Sequence, residues 1–268
     1  MSGERVVAWR PEVPGVREVF HARFVAHAYP AHTHDTWTLL VVDEGAVRFD
    51  LERHPHGTTG EMVTLLPPHV PHDGRAATVD GFRKRVLYLD PDVLDPHLIG
   101  TTVDRPSVRD ALLHRRITQL HRALARPADA LEAESRLALV LDRLLRHLRQ
   151  DAAPPARATS AVALADELRQ LLDSRTTTGV TLREAADALG APPDRLVRAF
   201  TRAFGLPPHR YLTGRRIDRA RRLLLAGAAP ATVAAEVGFH DQSHLHRHFQ
   251  HYVGVPPGRY ARSGAQQG

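Results

Sequence analysis

Residues 231–262, ATVAAEVGFHDQSHLHRHFQHYVGVPPGRYAR, decide the fold of the C-terminal half of the chain. Val233 and Val237 recur at helical spacing, and Gly238 follows at the position where a helix commonly ends in a left-handed residue. Asp241 or His240 can then cap a second helix, and Asp241 is the better acceptor for free backbone N–H groups. The stretch therefore predicts two short helices that meet at a glycine turn.

The second of these helices has one apolar and one polar face. Leu245 and Phe249 are spaced i and i+4, so both side chains face the first helix. The side chains left on the outer face are Gln242, Ser243, His246, Arg247 and Gln250. In a DNA major groove Arg suits guanine, Gln suits adenine and Ser suits either base. The pattern predicts a helix-turn-helix whose second helix binds DNA.

The same block occurs earlier in the chain. Residues 195–211 are RLVRAFTRAFGLPPHRY and residues 244–260 are HLHRHFQHYVGVPPGRY, with Leu, Arg, Phe, Gly, Pro-Pro and Tyr at equivalent places. This agreement indicates an internal duplication and a second helix-turn-helix. Arg198 and Arg247 are equivalent and are predicted to make the paired main contacts with DNA. Further contacts in the first copy are predicted at Asp194, Arg195, Val197 and Arg202.

Supporting helices are predicted around the two copies. Residues 161–172 suit a supporting helix, and residues 181–184 form a capping box that starts a helix ending near Gly190. Residues 208–226 begin with a proline, which suits the first turn of a helix. A helix there would link the copies rigidly, so one chain could enter two successive major-groove segments about 34 Å apart.

A long spaced motif runs through roughly the last 90 residues. Its members are Ile217-Asp-Arg-Ala220, Val233-Ala234, Glu236-Val-Gly-Phe239, Asp241-Gln-Ser243, Arg247, Phe249, Gly254-Val255, Pro257 and Tyr260. Together with the duplication, this motif resembles the AraC/XylS-type transcription regulators. The resemblance implies a DNA-binding domain of two helix-turn-helix units behind an N-terminal domain that senses an effector.

The positive charge is concentrated in the same region. The formal net charge is +6, and from Thr159 onward there are 15 Arg against 9 Asp and Glu, so the whole excess lies there. A basic domain of this kind is typical of binding to a phosphate backbone.

No cysteine is present, which excludes disulfide and thiolate chemistry. Without a signal peptide or an apolar run of membrane-spanning length, the protein is expected in the cytoplasm with no membrane partner.

The N-terminal part is predicted to be rich in strands. Asp43-Glu44-Gly45 separates two apolar segments and predicts a hairpin turn, and residues 67–71 mark a proline-rich loop. Strands are predicted at residues 16–28, 37–43, 46–51, 61–66 and 82–89. Several short strands with turn residues between them favour a sandwich or a small barrel.

Three histidines stand beside these strands. His32 and His34 precede one strand and His72 follows another, a pattern that resembles the cupins. The resemblance implies a divalent metal, Zn²⁺ or Fe²⁺, which three neutral imidazoles can hold. The glutamate of metal-binding cupins is missing from residues 35–39, so the favoured interpretation makes the histidines structural or pocket-lining. The predicted effector pocket is lined by His32, His34, Trp37, His72 and Tyr88.

A helical segment is predicted over residues 106–150. Its first apolar stripe is Leu112, Leu113, Leu120 and Leu124, and its second is Leu137, Leu141, Leu144, Leu145 and Leu148. The segment would cap the barrel, form a dimer interface or do both. A Pro- and Ala-rich stretch after it is predicted to be a semi-rigid linker. The predicted domains are a barrel over 1–105, a dimerising segment over 106–150, a linker over 151–160 and a DNA-binding domain over 161–268.

The sequence thus predicts a multidomain α+β protein. A cupin-like β-barrel with C-terminal helices would precede an all-α domain of two helix-turn-helix units joined by a linker helix. The leading hypothesis is a sequence-specific transcription regulator, either an activator or a repressor, controlled by a small-molecule effector in the barrel. Its predicted partners are double-stranded DNA, the effector, a second copy in a homodimer and RNA polymerase.

Two alternatives to this hypothesis remain open. One is a metal-dependent cupin enzyme with an accessory nucleic-acid-binding tail. No nucleophile motif, phosphate-binding loop or pair of spaced carboxylates accompanies the histidines, so an enzyme is not expected. The other is a regulator whose barrel only dimerises and senses nothing.

Overall fold

The computed structural model describes residues 4–126, 130–150 and 160–265. Its N-terminal part contains the strands β1 Arg5–Trp9, β2 Val16–Phe24, β3 Tyr29–His32, β4 Trp37–Leu51, β5 His54–Thr59, β6 Met62–Leu66, β7 His72–Ala76, β8 Phe82–Leu89 and β9 Ser107–Arg109. The strand-rich N-terminal part is therefore confirmed. β5, HPHGTT, and β7, HDGRA, lack apolar alternation, and the sequence did not predict them.

The strands form two antiparallel sheets that share β4. One sheet has the order β1-β2-β8-β4-β6-β9. In the other sheet β4 pairs with β5 and β7, and β7 pairs with β3. Because one long strand belongs to both sheets, they face each other as the two halves of a barrel.

The continuous β4 contradicts the predicted hairpin at Asp43-Glu44-Gly45. The strand runs for 15 residues and has a bulge between Val42 and Glu44. Gly45 has a φ of 72°, and a Cβ at this position would lie 2.1 Å from the carbonyl oxygen of Gly81. The glycine is therefore required, but it bends the strand from one sheet into the other and does not reverse it.

Helices cover the outer face of the larger sheet. They are α1 Ile99–Asp104, α2 Ala111–Leu124 and α3 Ala130–Gln150. Leu113, Ile117 and Leu144 share a core with Trp37 and Leu39 of β4. This packing answers part of the question that the sequence left open, because α2 and α3 do cap the barrel.

Two details of the predicted helical segment are corrected. Ser107–Arg109 forms strand β9, which pairs with β6, so α2 begins only after Asp110. The Asp110 side chain accepts hydrogen bonds from the first backbone N–H groups of α2. Leu112, predicted in the apolar stripe, is 37% exposed, and Ile117 is fully buried in the stripe.

The C-terminal part is all helical. Its elements are α4 Ser160–Ser174, α5 Leu182–Leu189, α6 Pro193–Phe204, α7 Pro208–Leu225, α8 Pro230–Glu236, α9 Gln242–Val253 and α10 Pro257–Ala265. α5 and α6 form the first helix-turn-helix unit, α8 and α9 form the second, and α7 joins them. The supporting helix, the linking helix and both units are confirmed. The predicted linker lies outside the described residues except for Ser160, which begins α4.

The predicted helix ends are confirmed as well. Thr181 and Glu184 form a complete capping box at the start of α5. Gly190 and Gly238 both have positive φ, at 60° and 86°. The Asp241 carboxylate accepts a hydrogen bond of 2.7 Å from the backbone N–H of His244 and so caps α9.

The C-terminal helices pack directly on the barrel. Phe24 and Val42 of the barrel share one continuous core with Leu245 and Phe249 of α9. α10 packs along β1, and the buried Arg221 of α7 forms an ion pair with the barrel. Among the described helices, none has the length and apolar character needed to cross a membrane.

Candidate DNA-binding surface and barrel cavity

The second unit exposes one polar face. The structure places all five predicted contacts of α9 on its exposed side: Gln242, Ser243, His246, Arg247 and Gln250. On the opposite side Leu245 and Phe249 are fully buried. Among the described residues Arg247 has no ion-pair partner, so its guanidinium is available to a base or a phosphate.

The first unit presents the equivalent face on α6. Asp194, Arg195, Arg198 and Arg202 are exposed. The Arg198 Nη2 atom lies 2.6 Å from the Asp194 Oδ2 atom, so this arginine is held by an acidic neighbour one turn away. Val197 is half-buried and lines an apolar groove, and its predicted contact with DNA stays a prediction.

His32, His34 and His72 form a cluster inside the barrel, which we call the His cluster. β3 and β7 place His32 opposite His72, and the chain after β3 carries His34 beside them. The Nε2 atoms of His32 and His34 lie 3.1 Å apart. Each imidazole offers one nitrogen within 4.8 Å of the other two, and all three residues are buried.

The environment keeps two of these rings neutral. Burial lowers the pKa of His32 well below its usual value, and His72 and His34 lower it further. Burial and the neighbouring His34 lower the pKa of His72 to about 3. A neutral imidazole is the form that binds a metal ion, so the donor chemistry and the spacing of the cluster fit Zn²⁺ or Fe²⁺.

The His cluster lines a small cavity between the two sheets. Its volume is about 50 Å³, enough for a few water molecules. Tyr88 lines it as predicted, whereas Trp37 does not. Trp37 faces α2 and α3, and its indole N–H donates to the carbonyl oxygen of Pro91. Side chains alternate along β4, so Thr38 and not Trp37 points into the cavity.

Sequence reasoning missed several residues of this cavity. Lys84 is the only lysine of the chain, and its ammonium lies 4.0 Å from the ring centre of Tyr29. Burial, reinforced by Arg221, lowers the pKa of Lys84 to about 7. Lys84 has the same strand parity as the predicted Tyr88, and this signal was available in the sequence. Arg221 and Tyr252 carried no such signal, because they come from the DNA-binding domain.

Helix α7 delivers charged side chains to the barrel. The Asp218 Oδ1 atom accepts a hydrogen bond of 2.9 Å from His34 Nδ1. Arg221 Nη2 lies 2.5 Å from Glu18 Oε1 of β2. Asp35 stands near the place where metal-binding cupins carry their glutamate, but Arg17 and Arg215 bind its carboxylate at 2.9 and 3.2 Å. Asp35 is thus engaged with arginines of both domains.

A wider groove of about 910 Å³ lies outside the barrel, between residues 10–18 and the end of α7. Arg17 is paired there with Asp35 at 2.9 Å and with Asp90 at 2.8 Å. Because its principal charged groups already bind one another, we regard the barrel cavity as the more specific site.

The comparisons with known proteins agree with this architecture. Residues 14–141 match the family described as AraC-like ligand binding domain, and residues 185–263 match the helix-turn-helix domain. The chain belongs to the AraC family of transcription regulators. Regulators with helix-turn-helix domains bind DNA, and the matched relatives are transcriptional regulators.

Individual AraC-family relatives match over most of their length. The HTH-type transcriptional regulator YbfI of Bacillus subtilis (strain 168) is 25% identical over 243 residues, which is 85% of each chain. The HTH-type transcriptional activator RhaS of Escherichia coli O81 (strain ED1a) is 26% identical over 262 residues, 91% of this chain and 87% of RhaS. The crystal structure of ToxT from Vibrio cholerae O395 shares the fold, with a TM-score of 0.62 at 11% identity over 97% of this chain and 98% of ToxT.

Proposed function

We propose that the protein regulates transcription by placing α6 and α9 in two successive major-groove segments of one DNA site. The observation that carries this proposal is the pair of exposed polar faces on duplicated units. The units are joined by α7, an uninterrupted helix of 18 residues, which is about 27 Å long. That length is comparable to one turn of the double helix, about 34 Å.

Selection of bound duplexes from a random pool tests this function with the full-length protein. We expect two short conserved motifs separated by about one helical turn. The selected duplex should then bind more tightly than a scrambled duplex at two salt concentrations, since only the phosphate contribution is shared by both. Binding that depends on salt alone, with no enriched motif, would contradict sequence-specific recognition.

We also propose that a small-molecule effector binds in the barrel cavity. Arg221 of α7 and Tyr252 and Val253 of α9 close this cavity. With a volume of about 50 Å³, the cavity admits an organic ligand only if these residues move. A ligand would therefore favour one arrangement of the two domains, which is what an effector must do. ToxT has been solved with a bound unsaturated fatty acid, and Lys84 and Arg221 here favour a polar or anionic ligand.

The only lysine of the chain supplies a direct probe of this cavity. Isotope-labelled lysine gives a single NMR signal from Lys84, which can be followed while a panel of carboxylates and neutral analogues is added. A true effector should shift this signal and change the affinity for the selected duplex. Lys84→Met should weaken that response. Suppose instead that a compound changes DNA affinity equally in the wild type and in Lys84→Met and leaves the Lys84 signal in place. Such a compound binds elsewhere.

We propose further that the protein forms a homodimer through α2 and α3, and that an activating form also contacts RNA polymerase. Leu112 and Leu139 are 37% and 49% exposed on these helices. Leu139→Glu should shift sedimentation at micromolar concentration toward a monomer. Val79, which is 94% exposed near the end of the loop before β8, provides the matched control as Val79→Glu. A wild type that sediments as a strict monomer contradicts the dimer.

A further inference from the structure

The outer nitrogens of the His cluster are all occupied by acceptors. His32 Nδ1 lies 2.6 Å from the carbonyl oxygen of Pro30, and His72 Nδ1 lies 3.1 Å from that of Val70. His34 Nδ1 lies 2.9 Å from a carboxylate oxygen of Asp218. Carbonyl and carboxylate oxygens only accept, so each Nδ1 carries the hydrogen and donates it. In a neutral ring of this tautomer, the Nε2 atom carries no hydrogen and presents a lone pair.

Two of these lone pairs face each other. The Nε2 atoms of His32 and His34 are 3.1 Å apart, which is a hydrogen-bond distance with no hydrogen to place between two neutral rings. A cation between them removes the repulsion. A proton on His34 would bridge only His34 and His32. A metal ion would also bind His72, because the ligand nitrogens of all three histidines lie within 4.8 Å of one another. Metal-bound histidines commonly donate their other N–H to a carbonyl or carboxylate, as all three rings do here.

Asp218 is the member of this arrangement that comes from the other domain. It is 7% exposed, and its Oδ2 atom is buried without a hydrogen-bond partner in the described part of the chain. The nearest guanidinium nitrogens, from Arg215 and Arg221, lie 3.7 and 3.9 Å from its carboxylate oxygens. These two ion pairs compensate part of the buried charge, and a metal held by His34 would supply further positive charge directly behind the imidazole.

We propose that His32, His34 and His72 bind a divalent transition metal and that Asp218, delivered by α7, holds His34 in place for it, so that metal binding and docking of the DNA-binding domain on the barrel reinforce each other. Asp218 acts as a positioning residue through His34. By linkage, whatever docking contributes to metal affinity, the metal contributes to docking. The inference goes beyond DNA recognition and needs no organic effector.

The test begins with full-length protein stripped by a chelator. Zn²⁺, and Fe²⁺ under anaerobic conditions, is titrated against a chromophoric competitor. Asp218→Asn should weaken metal affinity by about 10–100-fold, the usual effect of removing such a partner. Asp173→Asn is the matched control, because this carboxylate binds Tyr211 and Arg215 but none of the three histidines. It should leave metal affinity unchanged.

Two results would overturn the proposal, one for the metal site and one for the role of Asp218. One is wild-type protein that binds neither metal more tightly than the triple variant His32→Ala, His34→Ala, His72→Ala, which would leave a proton as the cation of the cluster. If the triple variant fails to fold, by circular dichroism, His72→Gln replaces it as the reference. The other is equal metal affinity in Asp218→Asn and wild type, which would remove Asp218 from the site.

Hydrogen exchange tests the coupling separately. Saturating metal should slow amide exchange in α9 and α10 of the wild type and raise its melting temperature. Both effects should be smaller in Asp218→Asn at equal metal occupancy. Metal that binds at the histidines but leaves exchange in both helices unchanged would contradict the link to docking. DNA selection is scored independently, so failure of this inference is distinguishable from failure of the proposed regulation.

Discussion

The two helix-turn-helix units repeat one sequence pattern but rest on different supports. In the first unit Leu196, Phe200 and Tyr211 lie in a core built only from residues of the DNA-binding domain, including Leu168 of α4. In the second unit the equivalent residues of α9 and α10 share their core with strands of the barrel. The duplication therefore produced two similar folds, only one of which is largely self-contained.

The paired tyrosines make the same contrast. Tyr211 and Tyr260 are equivalent, and both are fully buried. The Tyr211 hydroxyl donates to Asp173 of α4 at 3.0 Å, within its own domain, and also lies 3.3 Å from Nδ1 of His69 in the barrel. The Tyr260 hydroxyl donates to Glu18 of β2, in the barrel. A change inside the barrel should consequently reach the second unit before the first, because Tyr260 donates directly to a carboxylate of the barrel, whereas Tyr211 donates to a carboxylate of its own domain.

The largest expected effect comes from removing the barrel. A fragment from Thr159 onward should still bind DNA, but more weakly than the full chain. Its second unit loses its barrel support, and any gain from linked binding sites, which is about 10²–10⁴ in affinity, is lost with it. Titration of the selected duplex measures the difference, and hydrogen exchange shows which unit has loosened. A fragment that binds DNA with full affinity and has two equally protected units would contradict the dependence of the second unit on the barrel.

Glu18→Gln tests, within the full chain, how much the barrel contact of the second unit contributes to stability. Arg221 and Tyr260 both bind this carboxylate, and Glu18 is 4% exposed. Removing one partner of a buried ion pair costs about 3–5 kcal/mol of unfolding free energy. Asp173→Asn, the equivalent change in the first unit, should cost about 1 kcal/mol or less because that pair is partly exposed. Urea denaturation followed by circular dichroism measures both, and equal losses would contradict the asymmetry.

The glycines that end the two recognition helices offer a subtler comparison. Gly205 and Gly254 have positive φ, at 68° and 87°, so alanine at either is expected to cost about 1–2 kcal/mol. A Cβ on Gly254 would also lie 2.6 Å from the Phe24 ring of the barrel, whereas a Cβ on Gly205 would meet Pro71 at 3.4 Å. Gly254→Ala should therefore lower the melting temperature more than Gly205→Ala. An equal loss would mean that Phe24 moves aside freely.

Local patterns predicted local structure well. The capping box at Thr181, the glycine turns and the buried Leu245 and Phe249 each depend on neighbours within one or two helical turns. The apolar run of β4 was also recognised, but both of its faces are buried, so composition alone did not show that Thr38 faces the cavity and Trp37 does not.

Contacts between domains could not be predicted in this way. Asp218 belongs to a motif that the sequence assigned to the DNA-binding domain, yet its hydrogen-bond partner His34 lies 184 residues earlier. Nothing near Asp218 in the sequence points to a histidine of the barrel. The bend of β4 was missed for a related reason, because its glycine is fixed by the close approach of Gly81 and not by a turn.

The paired arginines that face DNA give the last comparison, because the expected difference between the two units is smallest there. Arg247→Ala should weaken binding of the selected duplex by about 1–3 kcal/mol if Arg247 contacts a base. Arg198→Ala should weaken it less, because Arg198 is already paired with Asp194 at 2.6 Å and must exchange that exposed pair for DNA. Asp194→Asn, which frees Arg198, should make the losses of binding on replacing the two arginines more similar.

Titrations of each variant against the selected duplex and a scrambled one separate base contacts from phosphate contacts, since loss of a phosphate contact weakens both duplexes alike. Unchanged binding in both alanine variants would remove these arginines from the interface, and a larger loss at Arg198 would show that Asp194 orients it for recognition.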